Sequence, residues 1–342
     1  MLLDSAGPLG RKYGTLLVDL DGVVYRGQEP VPHAADLLAA HRADGGQAFF
    51  VTNNASRTPA AVAQHLRELN VDAEPRDVVT SVQATAAVLS DEIRAGVVPA
   101  GAAALVVGSV ALADALLDAG LRPVSTAAED PAVVVQGFSP DIAWPLLAEA
   151  AYAIRAGARW YGTNADATLP TEQGLAPGNG SLIAVLVTAT GSRPMVMGKP
   201  ERPLFDTALQ LTGAERSTTL VVGDRLDSDI LGANNADLAS LLVLTGVSTV
   251  RDLFAAEGGQ RPQYVAFDLR ALREPQRPVL VDGHRAQCGG WTAEGDVGLP
   301  VSLAGDGEPT DALRAVTACT WSFPPRTLDV DPVCDHLEAL RP

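Results

Sequence analysis

Short apolar runs alternate along this chain with alanine-rich segments of helical spacing. The first strong run, Thr15 to Leu20, is interrupted only by Asp19, and a second run spans Gln47 to Thr52. Continuous apolar runs of this length are typical of parallel strands that are covered on both faces. Helical segments follow the two runs, near His33 to Arg42 and near Thr58 to Leu69. This order predicts an α/β fold with a doubly wound parallel sheet.

A second series of strands and helices lies between about Thr85 and Arg193. Its predicted strands are Ala103 to Val107, Ala132 to Val135 and Ala158 to Tyr161. Its predicted helices are Ala111 to Ala119, Asp141 to Arg155 and Ser181 to Thr190. The series is typical of a second α/β domain inserted into the first.

The first pattern then resumes with strands at Met195 to Met197 and Thr219 to Val222, a helix at Leu204 to Leu211, and a last strand at Ala239 to Leu244. Beyond about Ala271 the sequence pattern changes, and we expect a separate small C-terminal unit. The predicted domains are residues 1–84 (first part of the core), 85–194 (inserted domain), 195–270 (second part of the core) and 271–342 (C-terminal extension of unknown role).

Composition narrows the function classes. The 342 residues are 47% hydrophobic and 19% charged, which indicates a globular protein. A net charge of -16 argues against a nucleic-acid partner, because the phosphate backbone would be repelled. The three cysteines, Cys288, Cys319 and Cys334, form no Cys-x-x-Cys pair, so zinc is disfavoured. No apolar run could span a bilayer, which predicts no membrane association and a cytoplasmic location.

The first candidate for chemistry is Asp19-Leu20-Asp21-Gly22, at the end of the first predicted strand. Residues i and i+2 of an extended segment point to the same side, so both carboxylates can face one pocket. Two carboxylates so placed can divide the roles of nucleophile and proton donor. A calcium loop is excluded because Val23 and Pro30 occupy its fifth and twelfth positions, but a strand-end turn without chemistry stays open.

Two further segments carry candidate phosphate ligands. Thr52, Asn53 and Asn54 follow the second predicted strand and could donate hydrogen bonds to phosphate oxygens. Lys199, one of only two lysines in the chain beside Lys12, follows a predicted strand and could neutralise a carboxylate and a phosphate. Taken alone, Thr52-Asn53-Asn54 is more simply an ordinary turn, and an isolated lysine is more simply a surface residue.

The last candidate segment is Gly223-Asp224 through Asp229, after the strand at Thr219 to Val222. A carboxylate that ends an apolar strand is unusual unless it is paired or binds a metal. With Asp19, Asp224 offers the hard oxygen ligands that Mg²⁺ prefers, and Asp229 could hold a metal-bound water or orient the lysine. An acidic helix N-terminus is the alternative, and it accounts better for Asp227 than for Asp224.

The order of these segments resembles the haloacid dehalogenase-like superfamily, in particular its branch of NagD-like, 4-nitrophenylphosphatase-like and phosphoglycolate or glycerol-phosphate phosphatases. The matching segments are Asp19-Leu20-Asp21-Gly22-Val23, Thr52-Asn53-Asn54-Ala55-Ser56, Gly198-Lys199-Pro200 and Gly223-Asp224 through Asp229. The resemblance covers about Thr15 to Asp268. It implies a Rossmann-like core with an inserted cap domain of the C2 type, placed between the second and third segments.

The resemblance also implies a mechanism. Asp19 would attack phosphorus and form an aspartyl-phosphate, and Asp21 would protonate the leaving alcohol and then activate water. Mg²⁺ would be bound by the Asp19 carboxylate, the Asp21 backbone carbonyl and Asp224, with Asp229 behind them. The phosphate would be held by Thr52, Asn53, Asn54 and Lys199.

The substrate expected from the resemblance is a small phosphomonoester, with glycerol 3-phosphate or 2-phosphoglycolate favoured because a covering cap suits small molecules. Two alternatives stay open: a phosphotransferase or phosphomutase that uses the same aspartyl-phosphate, and a catalytically idle binding protein on this fold. The C-terminal extension is expected to be structural, and a homodimer is one alternative for the assembly.

Overall fold

The computed structural model describes residues 1–171 and 173–341. Its strands are β1 (Ser5–Pro8), β2 (Thr15–Val18), β3 (Tyr25–Arg26), β4 (Glu29–Pro30), β5 (Gln47–Thr52), β6 (Val78–Thr80), β7 (Ala103–Val107), β8 (Arg122–Val124), β9 (Val133–Gln136), β10 (Arg159–Gly162), β11 (Thr168–Thr171), β12 (Gly174–Pro177), β13 (Met195–Val196), β14 (Thr219–Gly223), β15 (Ala239–Val243), β16 (Tyr264–Ala266), β17 (Pro275–Gln276), β18 (Val279–Asp282), β19 (Arg285–Cys288), β20 (Trp291–Glu294) and β21 (Ser302–Gly305).

The α-helices are α1 (Leu9–Lys12), α2 (Ala34–Ala43), α3 (Pro59–Glu68), α4 (Ser81–Arg94), α5 (Val110–Asp118), α6 (Trp144–Ala156), α7 (Asn179–Thr190), α8 (Pro203–Thr212), α9 (Leu231–Asn235), α10 (Val250–Phe254), α11 (Pro309–Thr320) and α12 (Asp331–Ala339). The longest helix in this described part of the chain, α4, has 14 residues, whereas a membrane-spanning helix needs about 20. Accordingly, none of the described helices has the length and apolar character to cross a membrane.

By its internal contacts the chain divides into two compact units. Unit 2 contains Val51–Glu68 and Ala73–Thr212, and unit 1 contains Met1–Phe50, Leu69–Asp72 and the chain from Gly213 onward. The C-terminal segment therefore groups with the first sheet, which differs from the separate C-terminal unit expected from the sequence. The other domain boundaries drawn from the sequence stay predictions.

Unit 1 is built on a parallel sheet in which the strands lie in the order β16, β15, β14, β2, β5. Every residue of β2 and β14 is buried, as expected for strands covered on both faces. These two central strands pair in register from Thr15 with Thr219 to Val18 with Val222. The predicted α/β class with a parallel sheet is thus confirmed, and the carboxyl ends of β2 and β14 are neighbours.

Three predictions about elements need correction. β2 ends at Val18 and not at Leu20, because the Leu20 carbonyl accepts the N–H groups of the turn that follows it. The strand at Ala239 is not the last one of the sheet, since β16 follows it. The long helix α4 was not predicted; its Thr80 cap and Gln83 form a reciprocal capping box that fixes where it begins.

Unit 2 contains a second parallel sheet, with the order β13, β10, β9, β7, β8. The strand predicted at Met195 as part of the resumed core pattern is therefore assigned wrongly, because β13 pairs with β10 of this sheet. The strands β7, β9 and β10 were predicted to within one residue at each end. Helices α6 and α7 contribute Ile154, Ile183 and Leu186 to the core on one side of this sheet. An antiparallel hairpin, β11 with β12, precedes α7.

The C-terminal segment of unit 1 forms an antiparallel sheet, β18 to β21 in sequential order, and α11 packs on it. Its apolar side chains share one hydrophobic cluster with Leu242 of β15 and Val265 of β16. The fully buried Arg314 of α11 donates hydrogen bonds to the carbonyls of Leu3 (2.7 Å) and Arg277 (3.0 Å). These contacts explain why the segment belongs to unit 1.

Candidate active site

Three carboxylates of unit 1 converge at the carboxyl end of its parallel sheet. Asp19, Asp224 and Asp229 each offer an oxygen, and these oxygens lie within 4.8 Å of one another. Asp224 and Asp229 are buried and Asp19 is half-buried. Two like charges at about 5 Å repel by about 3 kcal/mol at an effective dielectric constant of about 20. The cluster is therefore stable as three carboxylates only where positive charge offsets the repulsion.

Asp19 and Asp224 are placed by neighbouring strands. The Asp19 N–H donates a hydrogen bond to the Val222 carbonyl at 2.8 Å, which continues the pairing of β2 with β14 by one residue. Asp224 follows directly after β14 and is 0% exposed. Both residues thus follow strands that are neighbours in the sheet.

Asp229 reaches the cluster from the segment that follows. Residues Leu226–Ile230 form a π-helical turn, a feature that is frequent at functional sites. The Arg225 N–H donates to the Asp229 carboxylate at 3.1 Å. A side chain at Gly223 would collide with that of Asp229, so only glycine allows this close approach.

The loop between β15 and α10, residues 245–248, completes the surroundings of Asp224. The Val247 N–H donates to the Asp224 carboxylate at 2.6 Å, and the Ser248 N–H donates to the Asp224 carbonyl at 3.1 Å. A Cβ at Gly246 would overlap the Asp224 carboxylate, as would one at Gly22, which has a φ of +83°. Sequence reasoning missed this β15–α10 loop, although Thr245-Gly246 directly after a strand was a usable signal.

These residues fit a magnesium ion. Carboxylate oxygens are the hard ligands that Mg²⁺ prefers, and it takes only one or two carboxylates directly while keeping several waters. The absence of a side chain at Gly22 and Gly246 makes room for the Asp224 carboxylate at this place. The donor set contains no thiolate or imidazole, so it favours a hard cation over zinc.

Asp21 and Asp227 lie outside this carboxylate cluster. Asp21 is exposed in the turn after β2, and its backbone forms an isolated bridge with Tyr25. Because β2 has already ended, the strand alternation invoked for Asp19 and Asp21 does not apply. Asp227 forms an ion pair with Arg225 at 2.8 Å, and this guanidinium holds the pKa of the Asp227 carboxyl below its usual range.

In unit 2 the structure brings Asn53 and Lys199 together. The Asn53 side-chain oxygen accepts the Lys199 N–H at 2.7 Å, and its amide donates to the Lys199 carbonyl at 3.0 Å and to both Asp166 oxygens at 3.2 Å. The Lys199 side chain is 4% exposed, and its ammonium donates to the Val51 carbonyl at 3.2 Å. Lys199 is therefore buried, which excludes the alternative that it is an ordinary surface lysine.

Thr52 and Asn54 make local contacts. The Thr52 hydroxyl accepts the Asn54 N–H at 3.1 Å, and the Asn54 side-chain oxygen accepts the Ser56 N–H at 2.8 Å. The Asn53 carbonyl accepts hydrogen bonds from Asn164 and Ser81, both at 2.8 Å. This segment is thus a rigid, hydrogen-bonded turn, and its predicted contact with phosphate stays a prediction.

The carboxyl edge of the unit 2 sheet carries neutral polar groups. Gln136 ends β9 and Thr163 follows β10, and the Thr163 N–H donates to the Gln136 carbonyl at 2.8 Å. Asn179, the first residue of α7, donates to the Asn164 carbonyl at 2.7 Å. Among the described residues, both polar atoms of the Gln136 side chain, the Thr163 hydroxyl and the Asn179 side-chain oxygen are buried without a hydrogen-bond partner.

Comparison with protein families gives two matches. The haloacid dehalogenase-like hydrolase model matches residues 16–122, and the HAD-hydrolase-like model matches residues 196–272. D-glycerol 3-phosphate phosphatase of Mycobacterium tuberculosis is 44% identical over 320 residues, which are 92% of this chain and 87% of the relative. Acid sugar phosphatase of Staphylococcus haemolyticus is 38% identical over 264 residues, 76% of this chain and 95% of the relative.

Solved structures agree with these sequence matches. A glycerol phosphate phosphatase from Mycobacterium tuberculosis, crystallised in complex with magnesium, superimposes with a TM-score of 0.84 at 43% identity and covers 94% of each chain. The 4-nitrophenylphosphatase of Thermotoga maritima gives a TM-score of 0.70 at 28% identity, over 78% of this chain and 98% of its own. The similarity to the first structure therefore extends through the C-terminal segment.

Proposed function

This chain belongs to the haloacid dehalogenase-like hydrolases and is a phosphatase whose cofactor is Mg²⁺, and we propose that it hydrolyses small phosphomonoesters through an aspartyl-phosphate on Asp19. The observation that carries the proposal is the convergence of Asp19, Asp224 and Asp229 within 4.8 Å. Such a cluster suits a divalent cation, and phosphoryl transfer needs one to approach a phosphate dianion.

In the proposed reaction an Asp19 carboxylate oxygen attacks phosphorus, and the bond from phosphorus to the ester oxygen breaks. Asp21 donates its proton to the leaving alkoxide. Water then attacks the phosphorus of the aspartyl-phosphate, Asp21 takes the proton of that water, and inorganic phosphate leaves as Asp19 is restored. The exposure of Asp21 supports this role, because a proton donor must reach both the leaving group and solvent.

For the metal, the proposed ligands are the Asp19 carboxylate, the Asp21 backbone carbonyl and Asp224. Asp229 is proposed to lie behind these ligands and to hold a metal-bound water, and its place within the same cluster supports this role. When bound, the ion supplies positive charge that offsets the carboxylates and the phosphate. Asp224 is held for this role by the Val247 N–H, and Gly22 and Gly246 leave room for its carboxylate.

Lys199, Thr52, Asn53 and Asn54 are proposed to hold the phosphate. This assignment rests on the family resemblance and on the surroundings of these residues within unit 2. The burial of Lys199 supports a role for its charge, since a buried ammonium needs anionic or hydrogen-bonding partners. The Asn53 amide is engaged with Lys199 and Asp166, so we propose that this side chain positions the lysine and that its backbone N–H serves the phosphate.

The proposed substrate is glycerol 3-phosphate, with 2-phosphoglycolate as the second choice. The relative with 44% identity over 92% of this chain, named D-glycerol 3-phosphate phosphatase, supports the first choice. Because another relative, 38% identical, is named acid sugar phosphatase, sugar phosphates are the substrates with which glycerol 3-phosphate should be compared. A homodimer and a cytoplasmic location stay predictions.

A phosphate-release screen with Mg²⁺ tests the proposed function. The panel contains glycerol 3-phosphate, 2-phosphoglycolate, several sugar phosphates and 4-nitrophenyl phosphate, and Asp19→Asn is the blank. We expect kcat/KM for glycerol 3-phosphate to exceed that of each other natural substrate. Equal kcat/KM across the panel would contradict the substrate, and no release from any member would contradict the phosphatase activity itself.

A further inference from the structure

The β15–α10 loop that holds Asp224 is directly joined to a very short helix. The loop ends at Ser248, Thr249 is the N-cap, and α10 has only five residues. The Thr249 hydroxyl accepts the Asp252 N–H at 3.2 Å, so cap and helix form one piece. Isolated helices need about 12 residues or more to be even marginally stable in water. The position of α10, and with it that of the loop, must therefore depend on packing.

That packing comes from the C-terminal segment. The Trp321 indole N–H donates to the Leu253 carbonyl of α10 at 2.9 Å. Asp331, the first residue of α12, pairs with Arg251 of α10. A third residue of this segment, Arg341, contacts the other end of the loop. We call Trp321, Asp331 and Arg341 together the C-terminal brace.

The third member of the brace acts at the other end of the loop. The Arg341 guanidinium donates a hydrogen bond to the carbonyl of Leu244, the residue that immediately precedes the β15–α10 loop. The loop is thus held on both sides, at Leu244 and through α10. Apolar contacts add to this, since side chains of α10, α11 and α12 share one cluster: Val250, Leu253, Phe254, Val316, Val333 and Leu337.

We propose that the C-terminal brace holds the β15–α10 loop against Asp224 and so raises the affinity of the carboxylate cluster for Mg²⁺, an inference that rests on the proposed metal role of Asp224. The physical link is the Val247 N–H bond to the Asp224 carboxylate. A loop that drifts lengthens this bond and lets the carboxylate reorient, and metal binding must then restore the geometry. Groups that orient metal ligands commonly change metal affinity by 10-fold to 100-fold when they are removed.

Trp321, Asp331 and Arg341 are therefore positioning residues for the metal site. The individual contacts of the brace differ in the free energy that they contribute. The Arg251–Asp331 pair is exposed, with 56% and 69% of the two side chains accessible, and such pairs contribute little. The Trp321 bond to the Leu253 carbonyl is partly buried, and a net hydrogen bond of about 1 kcal/mol corresponds to about fivefold in an equilibrium constant.

The chain offers a matched control for Trp321. The Trp291 side chain is buried, and its indole N–H has no hydrogen-bond partner among the described residues. Trp321→Phe removes an indole N–H that bonds α10, and Trp291→Phe removes one that does not. Both substitutions replace an indole by a smaller phenyl ring in the C-terminal segment. The comparison therefore separates the effect on the loop from a general loss of packing.

The experiment is calorimetric titration of the full-length protein with Mg²⁺ alone, without substrate. We expect Trp321→Phe and the surface variant Arg341→Ala each to raise the Kd for Mg²⁺ by about threefold to tenfold. Trp291→Phe should leave the Kd for Mg²⁺ unchanged, even if it lowers Tm as much as Trp321→Phe does. At saturating Mg²⁺, kcat of all three variants should lie within about twofold of the parent.

Two results would overturn the brace: an unchanged Kd in both Trp321→Phe and Arg341→Ala, or an equal rise in Trp291→Phe. A separate arm, Asp224→Asn, tests the premise. If the parent binds no Mg²⁺, or if Asp224→Asn binds it as tightly as the parent, the metal assignment itself is wrong and the inference falls with it. If Asp224→Asn loses binding while the brace variants do not, only the brace is rejected.

Discussion

The two units carry parallel sheets of the same type, but their carboxyl edges differ in chemistry. In unit 1 the edge presents the carboxylates Asp19 and Asp224, with Asp229 beside them. In unit 2 the corresponding edge presents the neutral groups of Gln136 and Thr163, and Lys199 follows β13 at the same edge. The edge of unit 1 is therefore acidic, whereas the edge of unit 2 carries neutral groups and a lysine.

This difference shows what each edge can do. Three carboxylates within 4.8 Å repel one another, and a cation bound there would offset this repulsion and bring Lewis-acid chemistry. Neutral amides and hydroxyls can bind or order water but supply neither a nucleophile nor charge for phosphoryl transfer. One architecture thus provides a reactive edge in unit 1 and a structural or binding edge in unit 2.

The largest effect should come from the reactive edge. Asp19→Asn should lower kcat at least a thousandfold, because an amide is not a competent nucleophile and loses a ligand charge. The measurement is phosphate release from glycerol 3-phosphate with the folded fraction determined by calorimetry. A variant that keeps more than about a tenth of the parent's turnover would rule out the covalent mechanism.

The two lysines provide the next contrast. Lys199→Ala should lower kcat/KM at least a hundredfold, since it removes a buried positive charge proposed to hold phosphate. Lys12→Ala is the matched control, because its ammonium bonds the Tyr264 hydroxyl at 2.8 Å and the Asp4 carbonyl, at the opposite end of the sheet from Asp19. Lys12→Ala should change Tm but not kcat/KM. Equal kinetics of the two variants would reject the role of Lys199.

A smaller effect is expected at the neutral polar groups on the carboxyl edge of unit 2. Gln136→Met replaces a buried amide, unpartnered among the described residues, by an apolar side chain of similar length. Replacing such a group can be neutral or stabilising, so unfolding free energy should be unchanged or higher by about 1 kcal/mol. Kinetic constants should stay within about threefold of the parent. A tenfold rise in KM would instead place this edge in the substrate site and break the contrast between the two sheets.

Part of this account was accessible from the sequence. Asp224 could be recognised because a carboxylate at the end of a buried strand has few structural explanations, and Lys199 because lysine is so rare in this chain. The contributions of Val247 and Ser248 could not, since they act through backbone N–H groups that any residue carries. The side-chain bonds of Asn53 to Lys199 depend on tertiary contacts across more than a hundred residues.

The C-terminal segment was the least predictable region. The change of sequence pattern beyond about Ala271 indicated a separate unit, but the bonds from Arg314 to Leu3 and from Trp321 to Leu253 join it to unit 1. Both are side-chain bonds to backbone carbonyls, which leave no pairing pattern in the sequence. The packing of this segment follows from tertiary structure alone.

A last effect, confined to alkaline pH, concerns the three buried thiols of that segment. Burial raises the pKa of Cys288, Cys319 and Cys334 from about 9 to about 11, because the thiolate is poorly solvated there. Their stabilising contribution is complete below about pH 9 and is lost as pH rises through about 11. The Tm of the parent should therefore fall across this pH range, and the Tm of Cys319→Ala should fall less steeply. Parallel pH profiles of the parent and the variant would contradict this explanation.

The most direct test of the account is the metal requirement of the reactive edge. Phosphate release from glycerol 3-phosphate is measured with Mg²⁺, with excess chelator, and after Mg²⁺ is added back beyond the chelator. The convergence of Asp19, Asp224 and Asp229 predicts that turnover disappears in chelator and returns on adding Mg²⁺. Full turnover in chelator would contradict the central claim that these three carboxylates form the metal site of a phosphatase.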